Sequence, residues 1–148
     1  MGARRSAQRA SERRETFEAD ESFAERQMEA FVGARFAGAT LTSADLGEAR
    51  LADANLRNAA LDGALLALAI LDRAQLAGAD LAGARMAEVR LRGATLAGVN
   101  LFAANLHGAD LRGANFEGAN LTNAILSDAQ MEDAKFTAAI MPNGRRSE

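Results

Sequence analysis

A large apolar residue returns at every fifth position from Phe31 to Met141: Phe36, Leu41, Leu46, Leu51, Leu56 and onward to Phe136. Alanine stands two positions before nearly all of them, as at Ala34, Ala39, Ala44, Ala49 and Ala54. A fixed short period marks a repeat architecture, in which each unit buries its apolar face only by stacking on the next. A period of five fits neither common element. On an α-helix a five-residue step advances about 500°, a net drift of about 140°, so the leucines would spiral round the helix without forming a stripe. In a straight strand an odd step sends alternate leucines to opposite faces. Both conflicts vanish if the chain turns a corner once per repeat. Each pentapeptide is then one side of a coil, with its large residue and the alanine two before it both pointing inward.

The position two after each large residue supports the corner. It holds Gly33, Gly38, Gly63, Gly78, Gly83, Gly93, Gly98, Gly108, Gly113 and Gly118. A type II turn needs positive φ at its second central residue, which glycine supplies without steric cost. Asp53, Asn58, Asn123, Asp128 and Asp133 are the next most tolerant occupants of that slot. Leu68 and Arg73 break the habit, and the stretch around them is expected to be irregular.

Segments such as Ala109-Asp110-Leu111-Arg112-Gly113 and Ala119-Asn120-Leu121-Thr122-Asn123 resemble the pentapeptide-repeat family, whose unit is A(D/N)LXX. The resemblance covers about three quarters of the chain. It implies an all-β solenoid, a right-handed quadrilateral β-helix with four repeats and about twenty residues per coil. The run then makes between five and six coils, roughly 25 Å of prism at a strand spacing of about 4.8 Å.

Composition agrees with a narrow core. Of 148 residues, 49% are hydrophobic but only 5% aromatic, with neither Trp nor Tyr. A wide globular interior draws on bulky aromatics, whereas a thin prism takes stacked Leu with Ala beside it. The chain has no Cys, which excludes disulfides, thiol catalysis and thiolate metal sites. No apolar run approaches the ~20 residues that span a bilayer.

Four regions follow. Residues 1–15 read as a flexible Arg-rich tail, 16–30 as a helical N-terminal cap, 31–141 as the β-helix and 142–148 as a C-terminal tail. Ser22 followed by Glu25 makes a capping box, and Phe23, Gln27, Met28, Ala30 and Phe31 form one face of a short helix laid over the first coil. At the other end Met141-Pro142-Asn143-Gly144 stops the coil, because proline cannot donate to a ladder and Asn-Gly favours a turn. Arg4-Arg5 lacks the apolar segment of a twin-arginine signal, and Met1-Gly2-Ala3-Arg4-Arg5-Ser6 matches an N-myristoylation pattern that arises readily by chance. A cytoplasmic protein is the expectation.

Reactive chemistry is thin. His107, the only histidine, follows the inward Leu106 and is expected at the surface. No second His or Cys can complete a metal site or nucleophilic relay, so neither catalysis nor a cofactor is expected. Asp45, Asp80 and Asp110 precede an inward residue, where a carboxylate can bond the turn's backbone amides. Asn100 and Asn120, one coil apart, could stack as an amide ladder.

Several outward positions are unexpectedly apolar. Leu65, Leu68 and Ile70 cluster on adjoining sides of one coil, and Phe102, Ile125 and Ile140 are further examples. A contiguous exposed patch points to a contact surface, unless the N-terminal segment folds over it or the coil is distorted. Coil stacking would place Arg50 and Arg90 on either side of Ile70. The candidate partner-binding residues are therefore Leu65, Leu68, Ile70, Phe102, Arg50 and Arg90.

These features describe a non-catalytic protein-binding scaffold or assembly element, a monomer or weak dimer with a protein partner. The resemblance also offers a DNA-mimicking modulator of a type II topoisomerase (gyrase), since some family members imitate a duplex. A mimic needs a continuous field of one sign. Here the net charge is only −3, with Arg50, Arg57, Arg73, Arg85, Arg90, Arg92 and Arg112 among the acidic residues. Nucleic acid is not an expected ligand of the prism. Arg4, Arg5, Arg9, Arg13 and Arg14 make the tail either a weak electrostatic anchor or a solubilising segment.

Overall fold

The computed structural model describes residues 31–148. The tail over 1–15 and the helical cap over 16–30, with its Ser22/Glu25 capping box, lie outside the described residues.

Every repeat bends at the same place. The Ala34 N–H donates to the Phe31 carbonyl at 2.9 Å, and the equivalent bond closes each following corner through Ala139 to Phe136. The second turn residue has positive φ throughout, from Gly33 at +71° to Ala138 at +59°, as a type II turn requires. Leu68 at +63° and Arg73 at +59° share that conformation, so the irregular stretch expected around them does not exist. Ser43, Glu48, Glu88 and Ala103 adopt it too. Stacking explains why residue preference loses here. The N–H of each such residue donates to the coil above, as Leu68 does to the Ala87 carbonyl at 3.0 Å. Leaving the left-handed region would break that bond and shift every corner above, against a local cost of about 1–2 kcal/mol.

Four corners complete one coil. Parallel bridges join residues twenty apart at every fifth position, from Arg35↔Asn55 to Asn120↔Ile140. Each side thus contributes one short bridge per coil rather than a long strand, because two of its five residues are spent on the turn. The first side is centred on Phe31, Leu51, Leu71, Leu91, Leu111 and Met131, and the second on Phe36, Leu56, Leu76, Leu96, Phe116 and Phe136. The third carries Leu41, Leu61, Leu81, Leu101, Leu121 and Met141, and the fourth Leu46, Leu66, Met86, Leu106 and Leu126. These residues and their alanines form one column in the inward register the periodicity requires, buried through Leu121; in the last coil Leu126, Phe136 and Met141 are only partly buried and Met131 is exposed. Phe116 and Phe136 stack with centroids 5.0 Å apart and planes at 7°.

The residue before each inward position turns its polar atom onto the next corner. Asp45 Oδ1 accepts the Gly47 N–H at 3.2 Å, Asp80 that of Ala82 at 3.0 Å and Asp110 that of Arg112 at 3.3 Å, the structural role expected of them. Asn55, Asn100, Asn105, Asn115 and Asn120 do the same. The Asn100–Asn120 amide ladder does not form. Asn100 Nδ2 donates instead to Asp80 Oδ1 at 3.1 Å, while Asn120 Oδ1 is taken by the Thr122 hydroxyl at 2.7 Å.

The coil ends in a hairpin. Gly144, at φ +81°, follows a turn in which its N–H donates to the Met141 carbonyl at 2.8 Å. The chain then doubles back, with Ile140 bridged antiparallel to Arg146. Met141 N–H donates to Arg145 O at 2.8 Å and Ser147 N–H to Ala139 O at 2.7 Å. In lower coils those two groups bond the coil above, so the returning arm substitutes for it on the third side.

Candidate interaction surface

Leu65, Leu68 and Ile70 meet at the corner between the fourth and first sides. Leu65 and Ile70 hold the places that Asp45 and Arg50 fill one coil earlier, and both are half-buried. Leu68 is 50% exposed on the corner itself. A bulky γ-branched side chain is strained at positive φ and gains nothing from solvent exposure, so its position carries two local costs at once. Beside it opens a shallow pocket of about 310 Å³ lined by Glu48, Arg50, Leu68 and Ile70.

Charge is arranged around this corner in two columns. Bridges place Arg50 and Arg90 directly on either side of Ile70. Glu48 and Glu88 occupy the equivalent turn position one coil to either side of Leu68. One apolar rung therefore crosses between an acidic and a basic column. Arg90 is engaged by Asp72, whereas Glu48 and Arg50 make no ion pair among the described residues. Glu48 is absent from the sequence-derived candidates. Its signal is a spacing of twenty from Leu68, visible only once the number of sides per coil is known.

The first side continues as a ladder of opposite charges. Asp72 is buried, accepting the Arg92 N–H at 3.2 Å as well as the Arg90 guanidinium. It supplies the acceptor that Arg90, standing where other repeats have Asp or Asn, cannot. Asp110 is buried between Arg92 and Arg112, with a bidentate bond from Arg112 at 2.9 and 2.8 Å. Arg73 grips Asp53 at 3.0 and 3.1 Å, and that bond holds the Asp53 carboxyl below its ordinary value. A depressed carboxyl pKa contributes stability above the unfolded value and loses it as pH falls through the folded one. This pair is exposed to solvent and screened by it, so Asp53→Asn should lower stability only slightly at pH 7. Thermal melts from neutral to acid pH check this. The difference between wild type and variant should shrink below the ordinary carboxylate range.

The remaining candidates are dispersed. Phe102 is 44% exposed but lies on the third side, so the structure does not bring it to the Leu68 corner. Ile125, 48% exposed, belongs to the last coil, and Ile140 is half-buried under the hairpin arm. His107 is a surface residue, with Nδ1 at 2.8 Å from Ser127 Oγ and Nε2 at 3.9 Å from Asp128. A hydrolytic relay needs the acid hydrogen-bonded to the imidazole and the serine on the opposite nitrogen, and 3.9 Å is beyond hydrogen-bond reach. Among the described residues no group of three or more acidic or histidine side chains could hold a metal ion. None of their helices is long and apolar enough to cross a membrane.

A four-sided solenoid of stacked five-residue corners defines a repeat protein of the β-helix class. The family model for pentapeptide repeats matches in eight copies over residues 31–66, 69–108 and 100–137. The chain belongs to the pentapeptide repeat family, whose members form right-handed quadrilateral β-helices and are generally non-enzymatic. Among solved structures, a pentapeptide repeat protein from the Arabidopsis thaliana thylakoid lumen is 23% identical, with a TM-score of 0.56 over 82% of this chain and 71% of that one. HetL from the cyanobacterium Nostoc, involved in heterocyst differentiation regulation, is 30% identical over 80% of this chain and 68% of its own, with a TM-score of 0.37. A pentapeptide repeat protein from the cyanobacterium Cyanothece 51142 is 35% identical over 62% of this chain, with a TM-score of 0.47. This chain spans 59% of that protein's length. No curated protein matches the sequence.

Proposed function

We infer that this chain is a non-catalytic protein-binding scaffold, and that it docks a protein partner on the corner formed by Leu65, Leu68 and Ile70, rimmed by Arg50 and Arg90. The observation that carries the reading is Leu68 itself. An exposed leucine in the left-handed region costs stability on two counts, and the other twenty-one corners of the solenoid carry glycine, aspartate, asparagine or another residue at that turn, none of them a large apolar one. An apolar rung with a charged rim has the make-up of an interface core. The DNA-mimic alternative gains nothing from the surface, because the first side alternates Asp and Arg rather than presenting one sign.

Leu68→Asn separates function from fold. Asparagine tolerates positive φ, so the variant should be as stable as the wild type or up to about 1 kcal/mol more so. Affinity capture from extracts should lose the partner at the same time. Arg50→Glu, a rim change, should weaken capture without moving the melting temperature. A variant that captures the same protein as well as the wild type does would refute the site.

A further inference from the structure

We propose that the segment leading into the solenoid docks on the Leu68 corner of its own chain and holds that site closed until a partner displaces it. The regulatory half of this proposal rests on the partner site inferred above. The corner is a stack of three rungs. Glu48 and Arg50 form the lowest, Leu68 and Ile70 the middle one, and Glu88 and Arg90 the highest. The four charged residues are exposed around the half-exposed Leu68, and Glu48 and Arg50 make no ion pair among the described residues. The chain enters the solenoid at the foot of this same corner. The Phe31 N–H donates to the Arg50 carbonyl at 2.7 Å, so the entry point lies directly beneath Arg50. Thirty residues precede Phe31. A tether attached so close to an apolar surface holds its own residues there at an effective concentration of about a millimolar, an advantage no free partner has.

The spacing of the rungs selects residues 21–30 as the occupant. Coils stack about 4.8 Å apart, which puts Arg50, Ile70 and Arg90 about 5, 10 and 14 Å above the entry point. A helix rises about 1.5 Å per residue. One that starts at the Ser22 capping box and descends the corner to residue 30 brings Arg26 to about 6 Å and Phe23 to about 10 Å above entry. Glu21, just beyond the cap, comes to about 15 Å. Phe23, Gln27 and Ala30 stand at i, i+4 and i+7, so they share one face, with Arg26 beside it. Phe23 then meets Leu68 and Ile70, where the shallow pocket takes its ring. Arg26 meets Glu48, Glu29 comes within reach of Arg50, and Glu21 meets Arg90. An apolar side chain therefore falls on the apolar rung, and opposite charges face on the rungs to either side. A helix laid flat beneath the first coil would use none of these matches.

The chain has no cysteine, so introduced pairs report the docking on the full protein. Under mild oxidation, Glu21→Cys with Glu88→Cys should form a disulfide within one chain. It should form at least about tenfold faster than in the control, Glu21→Cys with Phe102→Cys on the third side. Adding Phe23→Asp should bring the first rate down to that of the control. On the native background Phe23→Asp should also raise partner capture, because a covered site binds in proportion to the fraction of chains that leave it open. A disulfide no faster than the control would overturn the docking, as would one formed only between two chains or one indifferent to Phe23→Asp. Capture that Phe23→Asp leaves unchanged would overturn the regulation. The disulfide is read with no partner present, so the docking stands or falls separately from the partner site.

Discussion

Ala79→Pro should prevent the solenoid from folding, whereas Ala97→Pro, at the first turn residue of the corner one coil above, should be tolerated. Ala79 is 1% exposed and its N–H closes a corner by donating to Leu76 O at 2.9 Å. Proline removes that donor and drives its ring into a buried stack of small residues twenty apart, with Ala59 below and Val99 above. Loss of a bond together with a steric clash costs about 3 kcal/mol or more in a helix interior, and the same two insults act here. Ala97 is the first turn residue of its corner, where proline's fixed φ suits a type II turn and where its N–H makes no bond to the described backbone. At such sites proline is neutral or stabilises by about 0.4–1 kcal/mol. Thermal melts of both variants, followed by circular dichroism, decide the matter. Equal damage at the two positions would mean the corner is not a type II turn.

Leu81→Ala should cost about 2–5 kcal/mol, through lost burial and the cavity left behind. The upper part of that range is expected because the walls cannot collapse. Leu81 is fully buried, its N–H donates to Asn100 O at 2.7 Å, and Leu61 below it donates to Asp80 O at 2.7 Å. Coils pinned by such bonds keep their spacing when a side chain is removed. Thr122→Ala, one position after an inward leucine, loses only a half-exposed hydroxyl bond to Asn120 and should lie within about 0.5 kcal/mol of wild type. Denaturant titrations of both variants give the comparison directly.

Much of this scaffold is legible in five-residue steps. The period, the inward pairing of Ala and Leu, the corner at Gly33 and its equivalents, and the capping by Asp45, Asp80 and Asp110 all depend on contacts within one repeat. Local chemistry suffices for each. The expectation fails at Leu68 and Arg73 for a physical reason: single-residue turn preference is worth about 1–2 kcal/mol, and a stacked coil overrides it.

The sequence by itself determined the corner, the inward register and the apolar oddity of Leu65, Leu68 and Ile70. The tertiary structure decided which residues meet across coils. It set Glu48 beside the pocket, separated Phe102 from the patch, sent Asp72 to the Arg92 amide and left the last coil open beside a hairpin. Those outcomes depend on how many sides close one coil and where the spiral stops. Closure is a property of the whole stack, and no pentapeptide carries it.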